Sequence, residues 1–252
     1  MARIALEISY DGSRFAGWQS QPGGKGVQDA MENALRKLGE SARVFGAGRT
    51  DAGVHARAQV AHFDSARDWE PGRLVLAVNA WLPESVSVMR AHTVRDTFDA
   101  RRSAAWREYR YFIWNSPVLH PYIRPYVFRL PGSHYNWNRA SASAGAFVGE
   151  HDFRLFCRAA DRPENTVRTV RSAALHRRGS LVVFRIVANA YLTNMVRIAA
   201  GGILDVAAGR RGEEWLRSLL DGGDVPKRPR TLPASGLFLW RVLYDEGALP
   251  SR

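Results

Sequence analysis

Apolar and polar positions follow two different periods in the first half of the chain. They alternate from Ile4 to Tyr10, which predicts a β-strand with one buried face. From Val27 to Leu38 the apolar residues recur three or four positions apart, as in an amphipathic helix. Pro71 favours the first turn of a second helix. This half reads β-α-β-β-α-β, with strands at 4–10, 43–45, 58–63 and 86–88 and helices at 27–38 and 71–82.

The second half repeats this order of elements, with one additional short helix before its last strand. Two of its strands pair across a turn that contains glycine and serine. The predicted elements are strands at 106–114, 166–175, 181–188 and 237–243 and helices at 138–148, 192–208 and 212–220.

Both halves match the split β-α-β arrangement that is called ferredoxin-like. The sequence therefore predicts an α+β fold made of two ferredoxin-like units, residues 1–100 and residues 101–252. We expect their mostly antiparallel sheets to join and to leave a central cleft, because ligands tend to bind where two domains meet.

The charge of the chain is concentrated in its second half. Residues 1–100 contain 12 basic and 12 acidic residues, whereas residues 101–252 contain 24 and 12, which accounts for the net charge of +12. Arginine supplies 33 of the 36 basic residues, and its guanidinium binds phosphates and stacks on bases. Part of this high arginine content can instead reflect a GC-rich genome. The one-sided charge still favours a polyanionic partner, most plausibly nucleic acid.

Other features of the composition argue against several classes of protein. No run of about 18 apolar residues is present to form a membrane-spanning helix, and the first strand leaves no room for a signal peptide. Cys157 is the single cysteine, so no disulfide forms within the chain. The seven histidines lack the spacing of a metal site. The sequence predicts a cytoplasmic protein without a bound transition metal.

The loop at residues 48–56, GRTDAGVHA, carries the most distinctive chemistry of the chain. A guanidinium such as that of Arg49 lowers the pKa of a nearby carboxyl, and so would keep Asp51 ionised as a nucleophile or charge stabiliser must be. Gly48 and Gly53 allow a tight turn and the close approach of a ligand. The alternative is an aspartate that caps a turn, with Arg49 as its surface ion-pair partner.

The strand at 106–114 combines basic and aromatic side chains. Alternation sends Arg107, Tyr109 and Tyr111 to one face, where Tyr109 could stack on a base or exchange a proton through its hydroxyl. The alternative is a tyrosine that only fills the core. Residues 101–129 contain six arginines, one acid and eight aromatic residues, a mixture that suits unpaired RNA bases. The residues of this strand that are predicted to be core are Trp106, Phe112 and Trp114.

The long helix of the second half carries Arg197 near its start. Met195, Ile198 and Ala199 are predicted to face inward, so Arg197 is expected to be half-buried. A buried arginine needs an acidic partner. Asp51, across the predicted cleft, is one candidate, and contact with solvent or phosphate is an equally open alternative.

In the loop at residues 10–19, Arg14 and the aromatic residues Phe15 and Trp18 follow Tyr10 and lie among glycines. One interpretation is a wall of a nucleic-acid groove. The other is an ordered turn that Trp18 holds in place.

These segments together resemble the tRNA pseudouridine synthase A family. The matching motifs occur in the family's order and extend from Tyr10 to about Val242, so an accidental match is hard to credit. The segments that carry the resemblance are Asp11-Gly12, Gly17-Trp18-Gln19, the loop 48–56, Arg107-Glu108-Tyr109-Arg110-Tyr111, Gly149-Glu150-His151-Asp152-Phe153, Asn194-Met195-Val196-Arg197 and Gly236-Leu237.

The resemblance implies the isomerisation of uridine to pseudouridine at positions 38, 39 and 40 of the tRNA anticodon arm, by a homodimer that uses no cofactor or metal. It implies that Asp51 is the essential carboxylate and that Arg49 helps to open the target site. Tyr109 would pack against the target uracil and could take part in proton transfer. Arg197 would keep Asp51 ionised, and Leu237 would form an apolar floor under the base.

Two competing functions follow from the same residues. An RNA-binding module without catalysis would suit the basic, aromatic strands, but it leaves the Asp51 carboxylate unexplained. A metal-dependent nuclease would need clustered carboxylates, which the Asp51 loop lacks.

The basic segment 227–230 is either a contact for RNA or a solvated linker, and the sequence slightly favours the linker.

Overall fold

The computed structural model describes residues 2–132, 134–222 and 228–249. The chain divides into two compact units, of which the first comprises Met1–Arg107 with Phe238–Arg252 and the second Glu108–Leu237. The border therefore lies seven residues after the predicted one. The last strand, which the sequence analysis placed in the second half, is part of the first unit.

The first unit contains the predicted β-α-β-β-α-β order. β1 lies between β4 and β3 and is antiparallel to both, and β2 is antiparallel to β3. β10 pairs with β3 in parallel, which places the last strand in this unit. The elements are β1 (Ala2–Tyr10), α1 (Val27–Lys37), β2 (Phe45–Gly46), β3 (His55–Ser65), α2 (Pro71–Asn79), β4 (Val86–Val94) and all but the first residue of β10 (Leu237–Tyr244), with a one-turn 3-10 helix at Gly12–Arg14.

The two helices of this unit are well predicted by their apolar spacing. α1 buries Val27, Met31 and Leu35, as the amphipathic pattern requires. α2 begins at Pro71 as predicted but ends at Asn79, three residues early. The Asn79 side chain explains the early end, since it bonds both the N–H and the C=O of Val88 in β4 at 2.8 Å.

The second unit is built on a sheet in the order β5-β9-β8-β7, and β8 is antiparallel to both of its neighbours. With the first unit, it confirms the predicted α+β class with mostly antiparallel pairing. The elements are β5 (Ala104–Trp114, which starts in the first unit), β6 (Phe128–Arg129), α3 (Trp137–Gly145), β7 (Gly149–Asp152), β8 (Val167–Arg178), β9 (Leu181–Ala188), α4 (Met195–Ala207) and α5 (Glu213–Leu220), with 3-10 helices at Pro121–Tyr126, Arg154–Phe156, Ala159–Asp161 and Ala234–Gly236.

An aromatic cluster forms the centre of the second unit's core. Phe147 follows α3, and its ring lies 5.4 Å from Phe156, 6.0 Å from Phe184 and 6.4 Å from Phe153, measured between ring centroids. All four rings are fully buried. Phe153, the last residue of the motif at 149–153, therefore has a packing role in this unit.

The prediction of the buried side of β5 was wrong. Trp106, Phe112 and Trp114 are only partly buried. The neighbours Tyr109 and Tyr111, on the other face, are 7% and 0% exposed. Alternation predicts only which residues share a face of the strand. The large side chains of Trp106, Phe112 and Trp114 suggested that their face was the buried one, which was wrong.

The basic segment at 227–230 is only partly described. Lys227 lies outside the described residues. The guanidinium carbon of Arg230 lies 6.0 Å from the ring centroid of Phe128. A side chain added at Gly201 in α4 would collide with the Arg230 carbonyl oxygen. This part of the segment therefore packs closely on the second unit.

Candidate active site

Asp51 lies in the loop that joins β2 to β3 of the first unit, and it is half-buried. Its carbonyl oxygen accepts a 3.1 Å hydrogen bond from the Val54 N–H, which closes a four-residue turn. Gly53 is the third residue of this turn and has φ +77°, a conformation that a type II turn requires at that position and that glycine adopts without strain. Gly48, in contrast, has open space where a side chain would be, so the loop is accessible there.

The residue before Asp51 is anchored inside the first unit. Thr50 is buried, and its Oγ1 lies 2.8 Å from the hydroxyl of Tyr10 at the end of β1. Burial raises the pKa of Tyr10 well above its ordinary value, so this phenol stays protonated and can donate to Thr50. Before Thr50, the Gly48 carbonyl accepts a 2.7 Å bond from the Gln59 side chain. The loop is thus held at its start from both β1 and β3.

The loop at 10–19 forms a support for the Asp51 loop. Trp18 is 2% exposed, and its backbone N–H donates a 3.0 Å hydrogen bond to the Thr50 carbonyl. At Gly17, where φ is +112°, a Cβ would lie 2.7 Å from the same carbonyl oxygen. Of the two interpretations, the structure supports the ordered turn held by Trp18.

Gly12 and His55 join the same two loops at a second point. The Gly12 N–H donates a 3.1 Å hydrogen bond to Nδ1 of the fully buried His55. Nδ1 also lies 3.1 Å from Oδ1 of Asp11, a contact that would need a proton on Nδ1. One nitrogen cannot both accept and donate here, and the amide hydrogen of Gly12 has a fixed direction, so we assign Nδ1 as the acceptor. The Asp11 carboxylate accepts from the Ser13 N–H at 2.9 Å.

The return of the chain to the first unit places an aromatic ring on His55. Phe238, the second residue of β10, stacks on the imidazole with 4.6 Å between ring centroids. It is paired in register with His55 in the parallel β10–β3 ladder. The last strand therefore completes the packing behind the Asp51 loop.

Arg107 holds the segment that precedes the loop, a role that the sequence did not reveal. It is 9% exposed, and its Nε and Nη2 donate to the Ala47 carbonyl at 3.3 and 3.1 Å. Its Nη1 donates to the Ala104 carbonyl at 3.0 Å. The motif around Tyr109 identified this arginine as noteworthy, but only the fold shows that it binds backbone of the first unit.

Arg49 is exposed, and among the described residues no ion pair joins it to Asp51. The expectation from spacing, that Arg49 holds the Asp51 carboxylate, is therefore wrong in this structure. Arg49 remains available to contact a ligand.

In the second unit, Arg197 is half-buried near the start of α4, as predicted. Its Nε donates a 2.7 Å hydrogen bond to the Leu232 carbonyl, and its Nη1 donates a 2.6 Å bond to Oδ1 of Asn194. Two neutral oxygens therefore orient the guanidinium, a role that neither sequence interpretation named.

Asn194 has a backbone conformation that delays the start of the helix. Its φ is +64°, the only positive φ among the described residues other than glycines. Asparagine tolerates this left-handed region better than most residues do. α4 consequently begins at Met195 and not at residue 192 as predicted. A buried, strained asparagine beside Arg197 is a positioning residue that the sequence did not single out.

Tyr109 and Leu237 are both buried, and both have neighbours in the second unit. The Tyr109 ring meets Tyr191 edge-on, with 4.8 Å between centroids. Two residues along β5, the Tyr111 hydroxyl donates a 2.8 Å bond to the Pro233 carbonyl, and burial raises the pKa of this phenol. A Cβ at Gly236 would lie 2.7 Å from a β5 carbonyl oxygen, so the segment before the buried Leu237 packs directly on β5.

The predicted site residues fall into two groups. Asp51 and Arg49 belong to the first unit, and Tyr109, Arg197 and Leu237 to the second. Within the second unit, Arg197 bonds Leu232 in the segment that leads to Leu237. Tyr111, two residues after Tyr109 on β5, bonds Pro233 in the same segment. A half-buried carboxylate on a rigid loop can act as a nucleophile, and the second group offers an apolar, aromatic surface with one cation.

The described part of the chain contains no group of three or more His, Cys, Asp or Glu residues that could hold a metal ion. None of its helices combines the length and the hydropathy needed to cross a membrane.

Comparison with known proteins identifies the family. The family model described as tRNA pseudouridine synthase matches residues 7–101 and 144–245. The tRNA pseudouridine synthase A of Bacillus licheniformis is 39% identical over 246 residues, which cover 96% of this chain and 99% of that protein. The enzyme of the same name from Tolumonas auensis is 40% identical over 248 residues, covering 96% and 93%.

Solved structures give a weaker match. A chain in the crystal structure of a Cbf5-Nop10-Gar1 complex is 13% identical, with a TM-score of 0.35, over 80% of this chain and 44% of that chain. This similarity is too low to support a statement about function. The family model and the nearly full-length relatives are decisive, and the chain belongs to the tRNA pseudouridine synthase family.

Proposed function

We propose that this protein isomerises uridine to pseudouridine in tRNA, at positions 38, 39 and 40 of the anticodon arm. The observation that carries the proposal is the rigidly supported Asp51 loop in a chain that matches tRNA pseudouridine synthases over nearly its whole length. The positions within tRNA come from the resemblance described above.

The reaction sets clear chemical requirements. The C–N glycosidic bond must break, the uracil must turn in its pocket, and a C–C bond must form at C5. The C5 proton leaves, and N1, which keeps the electron pair of the broken bond, takes up a proton. Atoms and electrons balance without an oxidant or reductant. A nucleophile and an enclosed pocket for an unstacked base are what the protein must supply.

We assign the role of nucleophile to Asp51. The loop is fixed through Thr50, Gly12 and Trp18, so the carboxylate can be held in one position without being sealed from solvent. Preorganisation of this kind reduces the entropy that must be lost at the transition state. Arg49, exposed next to Asp51, is proposed to help open the target site as the base is flipped out of its stack.

The second unit is proposed to supply the pocket. Tyr109 would pack against the uracil, with its hydroxyl available for proton transfer, and Leu237 would form the apolar floor. Arg197 is proposed to keep Asp51 ionised. The hydrogen bonds to Leu232 and Asn194 support this role. They hold Nε and Nη1 of Arg197 in place, and so they fix the direction in which the guanidinium points.

The excess of basic residues in 101–252 supports binding of the RNA backbone.

We further propose that the enzyme acts in the cytoplasm as a homodimer, without cofactor or metal, as the resemblance implies. Sedimentation equilibrium of the purified chain would test the dimer, and a monomer at all concentrations would contradict it.

The function is tested with unmodified tRNA that carries tritium at C5 of its uridines. Formation of pseudouridine releases this tritium to water, and carbodiimide stops in primer extension identify the position. We expect release from uridines at 38–40 alone. A protein that binds the tRNA and releases no tritium would support the RNA-binding module instead.

A further inference from the structure

A surface cavity of about 490 Å³ lies in the second unit, at the end of β5 where the β8–β9 hairpin turns. Its volume falls in the range of small-ligand sites. None of the residues assigned to the reaction above lines it. Its lining includes Asn115, Gly132, Tyr135, Trp137, Arg177 and Ser180.

The frame of this cavity is held together by Asn115. Its backbone N–H donates a 2.8 Å bond to the Ser180 carbonyl in the hairpin turn. Its side-chain amide donates to the carbonyls of Leu130 and Gly132 at 3.0 and 2.8 Å. Three separate segments are thus fixed around the cavity by one residue, and the cavity is preformed.

One wall of the cavity combines stacking surfaces with a positive charge. The rings of Tyr135 and Trp137 lie 5.6 Å apart and are tilted by 34°. The guanidinium carbon of Arg177 lies 6.0 Å from the Trp137 ring centroid. The Nε of Arg177 donates a 3.1 Å bond to the Gly179 carbonyl, which orients the guanidinium. An aromatic face beside an arginine is the arrangement that binds a base and its phosphate.

The cavity is remote from the pocket proposed for the uracil. Asn115 directly follows the end of β5 and comes six residues after Tyr109. At about 3.3 Å per residue, these two positions are about 20 Å apart. A nucleotide in the cavity is therefore a different one from the target uridine.

We propose that this cavity is a second nucleotide-binding subsite, which binds one unpaired base of the substrate RNA on the Tyr135–Trp137 wall and its phosphate at Arg177. The subsite rests on the proposed function for the identity of the RNA as tRNA. Its occupant, an unpaired nucleotide, follows from the cavity alone. It contributes to RNA affinity and takes no part in the bond exchange.

The test measures tRNA affinity and tritium release for variants of this wall. Trp137→Ala is expected to raise the Kd and KM for tRNA about tenfold, as loss of one stacked base does, with kcat unchanged. Trp137→Phe keeps a ring and should restore most of the affinity. Arg177→Ala should reduce the slope of log Kd against log salt by about one phosphate contact.

Trp81→Ala is the matched control. Trp81 in the first unit also has a cation beside its ring, with the Lys37 ammonium 5.9 Å away, and it is 55% exposed, but it lines no part of this cavity. Its replacement should leave the Kd and KM within twofold of the original protein. Equal effects of Trp81→Ala and Trp137→Ala would overturn the subsite, because they would show only general loss of exposed aromatic surface.

Photocrosslinking identifies the occupant directly. tRNA that contains 4-thiouridine is irradiated on the full chain, and the adducts are located by mass spectrometry. We expect adducts on the peptide that contains Tyr135 and Trp137. An absence of adducts on that peptide, together with an unchanged Kd in Trp137→Ala, would contradict the subsite. If the original protein crosslinks there yet releases no tritium, the proposed function fails and the subsite stands.

Discussion

The amide N–H of Gly12 donates a 3.1 Å hydrogen bond to Nδ1 of His55, which ties the first loop of the chain to the residue four positions beyond Asp51. A Cβ at Gly12 would also collide with the Val54 carbonyl oxygen, so the two loops approach as closely as backbone atoms can. The position of Asp51 therefore depends on residues that are distant in sequence.

Replacement of His55 should separate this hydrogen bond from simple packing. His55→Ala leaves the buried Gly12 N–H without an acceptor, which costs about 1–3 kcal/mol of unfolding free energy, and should lower kcat as the Asp51 loop loosens. His55→Asn provides an oxygen acceptor near the same place and should recover much of both. Urea unfolding and tritium release measure the two effects. Equal losses in both variants would show that the hydrogen bond is unimportant.

Gly17→Ala tests whether the first loop sets the position of Asp51. Both Gly17 and Gly23 have positive φ, so alanine strains the backbone at either site. Only at Gly17 would the new Cβ lie 2.7 Å from the Thr50 carbonyl, since nothing lies within 4 Å of a Cβ at Gly23. We expect both variants to lose stability in thermal unfolding, but only Gly17→Ala to lose kcat. An equal kcat in the two variants would contradict the supporting role of the loop.

Asn194 allows its backbone and side-chain roles to be distinguished. Asn194→Gly keeps the left-handed conformation, whereas Asn194→Ala adds about 1–2 kcal/mol of strain, so the alanine variant should unfold at a lower urea concentration. Both remove the oxygen that accepts from Arg197 and should reduce kcat to a similar extent. A glycine variant with the original kcat would show that Arg197 needs no orientation by this side chain.

Tyr109→Phe isolates the hydroxyl of the tyrosine proposed to contact the uracil. The ring packs edge-on against Tyr191, and phenylalanine preserves that contact. If the hydroxyl moves the C5 proton, as we expect, kcat should fall by about 10²–10⁴ with the Kd for tRNA unchanged. Stopped assays of tritium release at saturating tRNA give kcat. Turnover within about threefold of the original enzyme would assign Tyr109 to packing alone.

Local sequence patterns predicted much of the fold because the forces behind them are local. The apolar spacing of α1 and the proline at the start of α2 gave both helices within three residues of their observed ends. The late start of α4 was not predictable in this way, since it depends on the left-handed Asn194 that Arg197 holds. A single left-handed residue held by one side-chain contact leaves no signal in the spacing of apolar positions.

The candidate site shows the same distinction. Asp51, Gly53 and the half-buried state of Arg197 could be read from residue types and spacing. The support from Gly12 and Trp18 could not, because it depends on pairing between segments more than 30 residues apart. The position of β10 depends likewise on a parallel pairing with β3, and element order alone cannot reveal it.

The central claim is that Asp51 is the nucleophile, and single-turnover tritium release by Asp51→Asn tests it most directly. The exposed Asp68→Asn serves as the control for loss of one surface charge. We predict that Asp51→Asn binds tRNA with a Kd within about threefold of the original protein, since phosphate contacts supply most of the affinity, and releases no tritium, while Asp68→Asn reacts normally. Release of tritium by Asp51→Asn at the rate of the original enzyme would contradict the account.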